Sequence, residues 1–238
     1  MLATAGYRRL LGFSLAGRSP LDNLAAQVDA YRYLLVRPLL RLETNIDPSP
    51  VVTAPGSAAW WAGALAIAAL LAGGFALLRR APLLGLAILW PFALLLPTNS
   101  LVPRLDLVAD RHLYLALIGP AILVAALVDR LKVSWRRVAI AGLACVLGAF
   151  AWQRAGEFSS ETALWTATAA RSPGKARVWN NLGYGRLVEG DPAGAVDAFR
   201  RALAIDPGDA RAAINLERAE AAVGGDGSGR PQASDRRR

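Results

Sequence analysis

Long apolar blocks, concentrated between Ala58 and Trp152, constrain this chain more than any other feature of its sequence. A helix needs about 20 consecutive apolar residues to cross a hydrocarbon core about 30 Å thick. Because backbone groups inside lipid must be hydrogen-bonded within the segment itself, these blocks predict an all-α fold with a transmembrane helix bundle of about four spans. The predicted spans cover residues 58–78, 81–97, 113–128 and 138–152.

The net charge of +9 is unevenly distributed along the chain. Residues 58–153 carry eight Lys/Arg against three Asp/Glu, whereas residues 154–238 carry thirteen against eleven. Neither region has the dense basic stripe that contact with a nucleic acid backbone requires, so we expect no nucleic acid partner. The excess lies in the short turns between the apolar blocks, as the positive-inside rule predicts for cytoplasmic loops.

The basic turns also predict the orientation in the membrane. They contain Arg79 and Arg80 in the first turn, and Arg130, Lys132, Arg136 and Arg137 in the second. Placing both turns in the cytoplasm sends both ends of the chain outward. The Ala- and Arg-rich composition is typical of a GC-rich bacterium, so we expect an integral protein of the inner membrane with its C-terminal region in the periplasm.

Residues 1–57 are predicted to form an extracytoplasmic or interfacial segment. Apolar residues at helical spacing predict an amphipathic helix over residues 20–44, capped by Ser19 or Asp22. This helix either lies on the membrane or packs beside the spans, and Pro38 is expected to kink it.

If this N-terminal segment lies outside the cytoplasm, it must be carried across the membrane. Two explanations for this stay open. Arg8 and Arg9 precede a short apolar run, which resembles a signal peptide weakly. Alternatively, the chain is the C-terminal part of a longer protein, and we favour this explanation. The segment 45–56, with three prolines, is predicted to be a linker between the helix and the first span.

From Ala176 to Asp209 the sequence fits one 34-residue tetratricopeptide repeat (TPR). Seven residues fall at the positions expected for the repeat: Trp179, Leu182, Gly183, Ala195, Phe199, Ala202 and Pro207. The small residues fit where two antiparallel helices cross closely, and the large apolar residues fill the space between them. With partial repeats on both sides, residues 154–222 are predicted to form a short α-solenoid TPR domain. Residues 223–238 are predicted to be a disordered tail.

The repeat predicts one candidate binding face, the TPR groove. Its residues are Arg177, Asn181 and Tyr184 on the first helix, and Arg211, Asn215 and Arg218 at the equivalent places on the next helix. Arginines and amides on one concave surface suit an extended peptide or a carboxylate, so a protein or peptide partner is expected. An ordinary solvated face is the alternative interpretation.

A second polar concentration lies at the outer boundary of the predicted third span. Pro97-Thr98-Asn99-Ser100 is followed by Asp110-Arg111-His112-Leu113-Tyr114-Leu115. An arginine at this level can hold a lipid phosphate, because its planar fork matches the phosphate oxygens. The candidates for contact with a membrane-lipid phosphate are Arg104, Asp110, Arg111, His112 and Tyr114. The alternative interpretation is that these polar residues only let the end of the helix face water.

Together with Tyr31 and Pro38-Leu39-Leu40, the order of these motifs resembles one protein family. It is similar to the C-terminal membrane part of the transmembrane-and-tetratricopeptide O-mannosyltransferases and their bacterial relatives. The resemblance covers most of residues 20–220. It implies a C-type membrane glycosyltransferase that uses a polyprenyl-phosphate sugar, with Asp110, Arg111, His112 and Tyr114 as lipid-phosphate or structural residues.

The resemblance supplies no catalytic residue, because the family's catalytic acidic loop belongs to an N-terminal region that this sequence does not match. Asp47 is a lone acidic residue in the predicted linker, and we do not assign it as a general base. We therefore expect the chain to be inactive alone, or complemented by a separately encoded N-terminal glycosyltransferase half. The sequence also predicts no cofactor and no metal site, since it holds one cysteine, Cys145, and one histidine.

Two other functions are compatible with the sequence. A membrane-anchored TPR scaffold would use its helices only as an anchor and its repeat to recruit a protein. A transporter subunit is a more distant alternative, because the predicted spans carry no charge near the middle of the bilayer.

Overall fold

The computed structural model describes residues 19–36, 44–96 and 106–224, which form helices and loops and contain no strand. The all-α prediction is thus confirmed for these residues. The chain divides into two compact units, Met1–Val146 and Leu147–Arg238. Several predictions fall outside the described residues: the N-terminal basic and apolar run, the kink at Pro38, the Pro97-Thr98-Asn99-Ser100 motif, Arg104, and the tail beyond Gly224.

Helix α1 (Pro20–Val36) begins at a side-chain cap. The hydroxyl of Ser19 accepts the backbone N–H of Asp22 at 3.1 Å, and it donates to the Asp22 carboxylate at 2.6 Å. The Ser19 hydroxyl thus satisfies one of the backbone donors that the first turn of a helix leaves without partners. One face of α1 is buried, and its buried apolar residues are Ala26, Ala30, Tyr31 and Leu34.

Helix α1 packs against residues 58–78, the first predicted span. A Cβ added to Gly63 would lie 2.8 Å from Val28 Cγ1, so the two helices touch closely there. The indole N–H of Trp60 donates to the carbonyl oxygen of Ala25 at 2.9 Å. Both contacts hold α1 against the beginning of the first long apolar helix.

Helices α2 (Ala58–Leu78) and α3 (Pro82–Leu95) form an apolar hairpin. Ser57 caps α2 by accepting a backbone N–H of the first turn. A Cβ at Gly85 would lie 2.7 Å from the carbonyl oxygen of Gly74, so these glycines permit the two backbones to approach.

The predicted third span begins with a 3₁₀ turn, Asp110–His112, followed by α4 (Leu113–Ala116) and α5 (Ile118–Asp129). The chain bends by 46° at the break between the two parts of this span. The indole N–H of Trp90 donates to the carbonyl oxygen of Leu115 at 2.8 Å, which fixes the region of the bend to α3.

Helices α3 and α5 cross at Gly119, where a Cβ would collide with the carbonyl oxygen of Ala87. A buried core joins α3 and α4 to α1, and the rings of Tyr31 and Phe92 lie 5.3 Å apart within it. The other buried members of this core are Ala30, Leu34, Leu95, Val108, Leu113 and Ala116. Tyr31 is one of the residues on which the family resemblance rests. Burial raises the pKa of its phenol, so the side chain is neutral in this core at physiological pH.

Helix α6 (Val133–Glu157) has 25 residues and is longer than the predicted span 138–152. Two described helices, α2 and α6, are long and apolar enough to cross a membrane, and the bent α4–α5 pair makes a third if it counts as one broken span. The remaining predicted span corresponds to α3, which has 14 residues. At 1.5 Å per residue this helix is about 21 Å long, short of the roughly 30 Å hydrocarbon core.

Beyond α6 the described residues, up to Gly224, form four helices, each packed against the next one. They are α7 (Glu161–Arg171), α8 (Ala176–Val188), α9 (Pro192–Ile205) and α10 (Ala210–Val223). Asp191 caps α9, and Gly190 precedes it with a φ of 87°, a conformation that glycine adopts without strain. Gly190 and Asp191 therefore form the turn between α8 and α9, and Pro192 begins α9.

The interior of this second unit is built on the contact between Gly183 and Phe199. A Cβ at Gly183 would lie 2.6 to 2.8 Å from three atoms of the Phe199 ring. Other residues with little or no exposed surface here are Ala169, Val178, Leu182, Ala195, Ala198, Ala202 and Ala219. A small residue thus faces a large one where α8 and α9 pack together.

Candidate functional site

The first candidate site lies where the segment after α1 meets the beginning of α4. The backbone N–H of Asn45 donates to the carboxylate of Asp110, and the N–H of Asp47 donates to the side-chain oxygen of Asn45 at 3.3 Å. Asn45 and Asp47 are buried. The carboxylate of Asp110 therefore connects this segment to the 3₁₀ turn.

Arg111 and Tyr114 face outward from the same part of the chain. Arg111 is exposed and has no ion pair among the described residues, and Tyr114 is 82% exposed. Because residues three apart share a helix face, these two side chains are neighbours on one surface. His112 is half-buried. Of the described lipid-phosphate candidates, Arg111 and Tyr114 are thus exposed, whereas Asp110 is bonded to the backbone of Asn45.

Asp29, which the sequence analysis did not single out, is a buried acid of α1. Its Oδ2 accepts the backbone N–H of Thr53 at 2.7 Å and the Thr53 hydroxyl at 2.8 Å. Its Oδ1 lies 2.9 Å from the guanidinium of Arg32. The three-residue spacing of Asp29 and Arg32 is a sequence signal for this ion pair, but nothing local in the sequence points to Thr53.

The second candidate site is the predicted TPR groove, whose residues lie on α8 and α10. These helices contact each other, and the side-chain amide of Asn215 donates to Asn180 Oδ1 at 3.0 Å. Asn180 is a residue that the sequence analysis missed. Arg177, Arg211 and Arg218 are exposed, Tyr184 is 37% exposed and Asn181 is half-buried.

Two glutamate carboxylates hold α7 against its neighbouring helices in the second unit. The carboxylate of Glu157 binds the guanidinium groups of Arg154 and Arg171. The backbone N–H of Thr162, 3.2 Å from the carboxylate of Glu189, holds the pKa of that carboxyl below its ordinary value. These bonds connect α7 to the end of α6 on one side and to the end of α8 on the other.

Within the three described stretches, no group of three or more His, Cys, Asp or Glu side chains is arranged to hold a metal ion. Comparison of the chain with family models, with curated proteins and with solved structures found no match. Function is therefore inferred from the side chains of these two sites and from the membrane helices.

Proposed function

We propose that this chain is a membrane-anchored protein whose C-terminal helices form an extracytoplasmic TPR module that captures an acidic segment of a partner protein. The observation that carries this proposal is the hydrogen bond between Asn180 and Asn215, which holds α8 beside α10. Exposed arginines lie on both helices, at Arg177, Arg211 and Arg218. Arginine forks pair well with carboxylates, so an acidic segment suits this face.

The packing of α8 on α9 supports the assignment of a tetratricopeptide repeat. A glycine at residue 183 leaves room for the fully buried ring of Phe199, as close crossing of the two helices of a repeat requires. Stacked helix pairs of this kind present a continuous surface that proteins use to bind extended peptides.

The extracytoplasmic position of the module is supported by the charged turns. Arg79 and Arg80 lie between α2 and α3, and Arg130 and Lys132 lie between α5 and α6. If both turns face the cytoplasm, the end of α6 emerges on the opposite side. In a bacterial inner membrane, that side is the periplasm.

Photo-crosslinking in living cells tests the capture of a partner. The photoreactive residue p-benzoylphenylalanine at position 184 is expected to give a discrete adduct, whereas the same residue at exposed Asp197 on α9 gives none. Reversing the charge of Arg177, Arg211 and Arg218 to Glu should reduce the adduct roughly tenfold, because like charges across an interface cost several kcal/mol. Equal adducts from positions 184 and 197, or an adduct insensitive to charge reversal, would contradict the proposal.

We also propose a second function for the membrane unit, recognition of a polyprenyl-phosphate lipid. The outward-facing pair of Arg111 and Tyr114 favours it, because an exposed guanidinium beside a phenol at the end of a span can donate to phosphate oxygens. The family resemblance supplies the lipid class, a polyprenyl phosphate that carries a sugar. We assign no catalytic residue for sugar transfer.

Binding of a polyprenyl phosphate to the purified full chain, followed by native mass spectrometry, tests this second function. Arg111→Ala is expected to weaken binding about tenfold, since hydrogen bonds to charged groups contribute about 1.5–3 kcal/mol. Arg111→Lys should recover part of the affinity, because lysine keeps the charge without the planar fork. The matched control is Arg80→Ala, an exposed arginine in the α2–α3 turn. Equal affinities for wild type and Arg111→Ala would exclude the role of Arg111.

A further inference from the structure

The face of α8 and α10 that carries the TPR groove changes in chemistry along each helix. Residues spaced by four, three and four positions lie on one face of a helix. On α8 this face carries Arg177, Asn181, Tyr184 and Val188, and on α10 it carries Arg211, Asn215, Arg218 and Ala222. Both helices therefore begin the face with an arginine and an amide, and both end it with an apolar residue.

The apolar end of this face is exposed to solvent. Val188 is the last residue of α8 and has 53% of its surface exposed, and Tyr184, one turn earlier, has 37% exposed. Ala222 is exposed at the equivalent place on α10. Covering such apolar surface is favourable, whereas a segment that carries only carboxylates would leave it in contact with water.

The basic end of the face lies in the first turns of the two helices. Arg177 is the second residue of α8, and Arg211 is the second residue of α10. The positive end of each helix dipole adds to the charge of these guanidinium groups, so carboxylates are most favourable here. The side-chain hydrogen bond from Asn215 to Asn180, 3.0 Å long, holds the first halves of α8 and α10 beside each other.

The distance between the two ends sets the length of the ligand. Val188 follows Arg177 by eleven residues, which is about 16 Å at a rise of 1.5 Å per residue. An extended peptide covers this distance in about five residues. We infer that the captured segment carries an apolar side chain about five residues from its acidic group, with Tyr184 and Val188 as the apolar contact. This inference rests on the proposed function of the module.

Binding of three fluorescein-labelled peptides to the full chain, purified in detergent and measured by fluorescence anisotropy, tests this specificity. The first peptide carries three glutamates and, five residues away, a leucine. The second has serine in place of the leucine, and the third has glutamines in place of the glutamates. The first peptide should bind the wild-type chain about tenfold more tightly than the second, because burying a leucine side chain is favourable.

Two exposed valines supply a matched pair of variants. Val188→Ser should abolish the preference for leucine and leave the affinity for the serine peptide unchanged. Val223→Ser changes the last residue of α10, which is 54% exposed and lies off the face that carries the TPR groove, so it should retain the preference. The inference is overturned if the two variants change the preference equally.

The peptides also separate a failure of this inference from a failure of the proposed function. If the leucine and serine peptides bind the wild-type chain equally, but more tightly than the glutamine peptide, the inference is overturned and capture of an acidic segment stands. If the glutamine peptide binds as tightly as the peptide with glutamates and leucine, the proposed function fails, and the inference fails with it.

Discussion

Replacing Phe199 with alanine is expected to destabilise helices α8 to α10 by about 3–5 kcal/mol, the usual cost of removing a buried aromatic ring. The side chain of Phe199 is fully buried, with 0% of its surface exposed. A domain of this size has about 5–15 kcal/mol of stability in total, so the loss would remove a large part of it. Hydrogen exchange of the amides in α8 to α10, measured on the full chain, reports this free energy directly.

The position of the ring explains why the effect spreads over three helices. Phe199 fills the space opposite Gly183 on α8, and it belongs to a core cluster that includes Ala219 on α10. The matched control is Ile214→Ala on α10, where the side chain is 51% exposed and the expected change is within about 0.5 kcal/mol. If Phe199→Ala accelerated exchange no more than Ile214→Ala, the packing described for this unit would be incorrect.

The sequence predicted well those features that depend on local pattern. The uncharged run between Ser57 and Arg79, for example, predicts a span at residues 58–78, and helix α2 occupies Ala58–Leu78. The sequence pattern also predicts that Gly183 is small because two helices cross closely there, and the structure places the Phe199 ring against it.

Span length was harder to predict where charges and apolar residues mix. Helix α6 continues beyond the predicted span at both ends, because Arg136, Arg137 and Arg154 interrupt the apolar pattern but do not interrupt a helix. Conversely, α3 begins at Pro82 and has only 14 described residues, although the apolar run that contains it is longer.

The polar contacts of the first candidate site could not be predicted, because their partners are distant in sequence. Asp29 and Thr53 are 24 residues apart, and Asn45 and Asp110 are 65 apart. No periodic pattern relates such positions. Asp47, expected in a linker, is buried for the same reason: the fold of the whole membrane unit decides its surroundings.

The second prediction concerns the membrane topology, on which both proposed functions depend. Lys132 lies in the turn between α5 and α6, and Asp197 lies on α9; both are exposed. If the arginine-rich turns face the cytoplasm, a polar reagent on the extracytoplasmic side reaches residue 197 and cannot reach residue 132. The expected difference in labelling is therefore all-or-none, because the bilayer excludes a charged reagent from the cytoplasm.

Single-cysteine variants of the full chain make this measurement possible. Cys145 in α6 is first replaced by alanine, and Lys132→Cys or Asp197→Cys is then introduced. Cells with a permeabilised outer envelope are treated with a charged, membrane-impermeant maleimide before and after lysis. We expect residue 197 to be modified in intact cells and residue 132 only after lysis. Modification of residue 132 together with protection of residue 197 in intact cells would contradict the proposed topology.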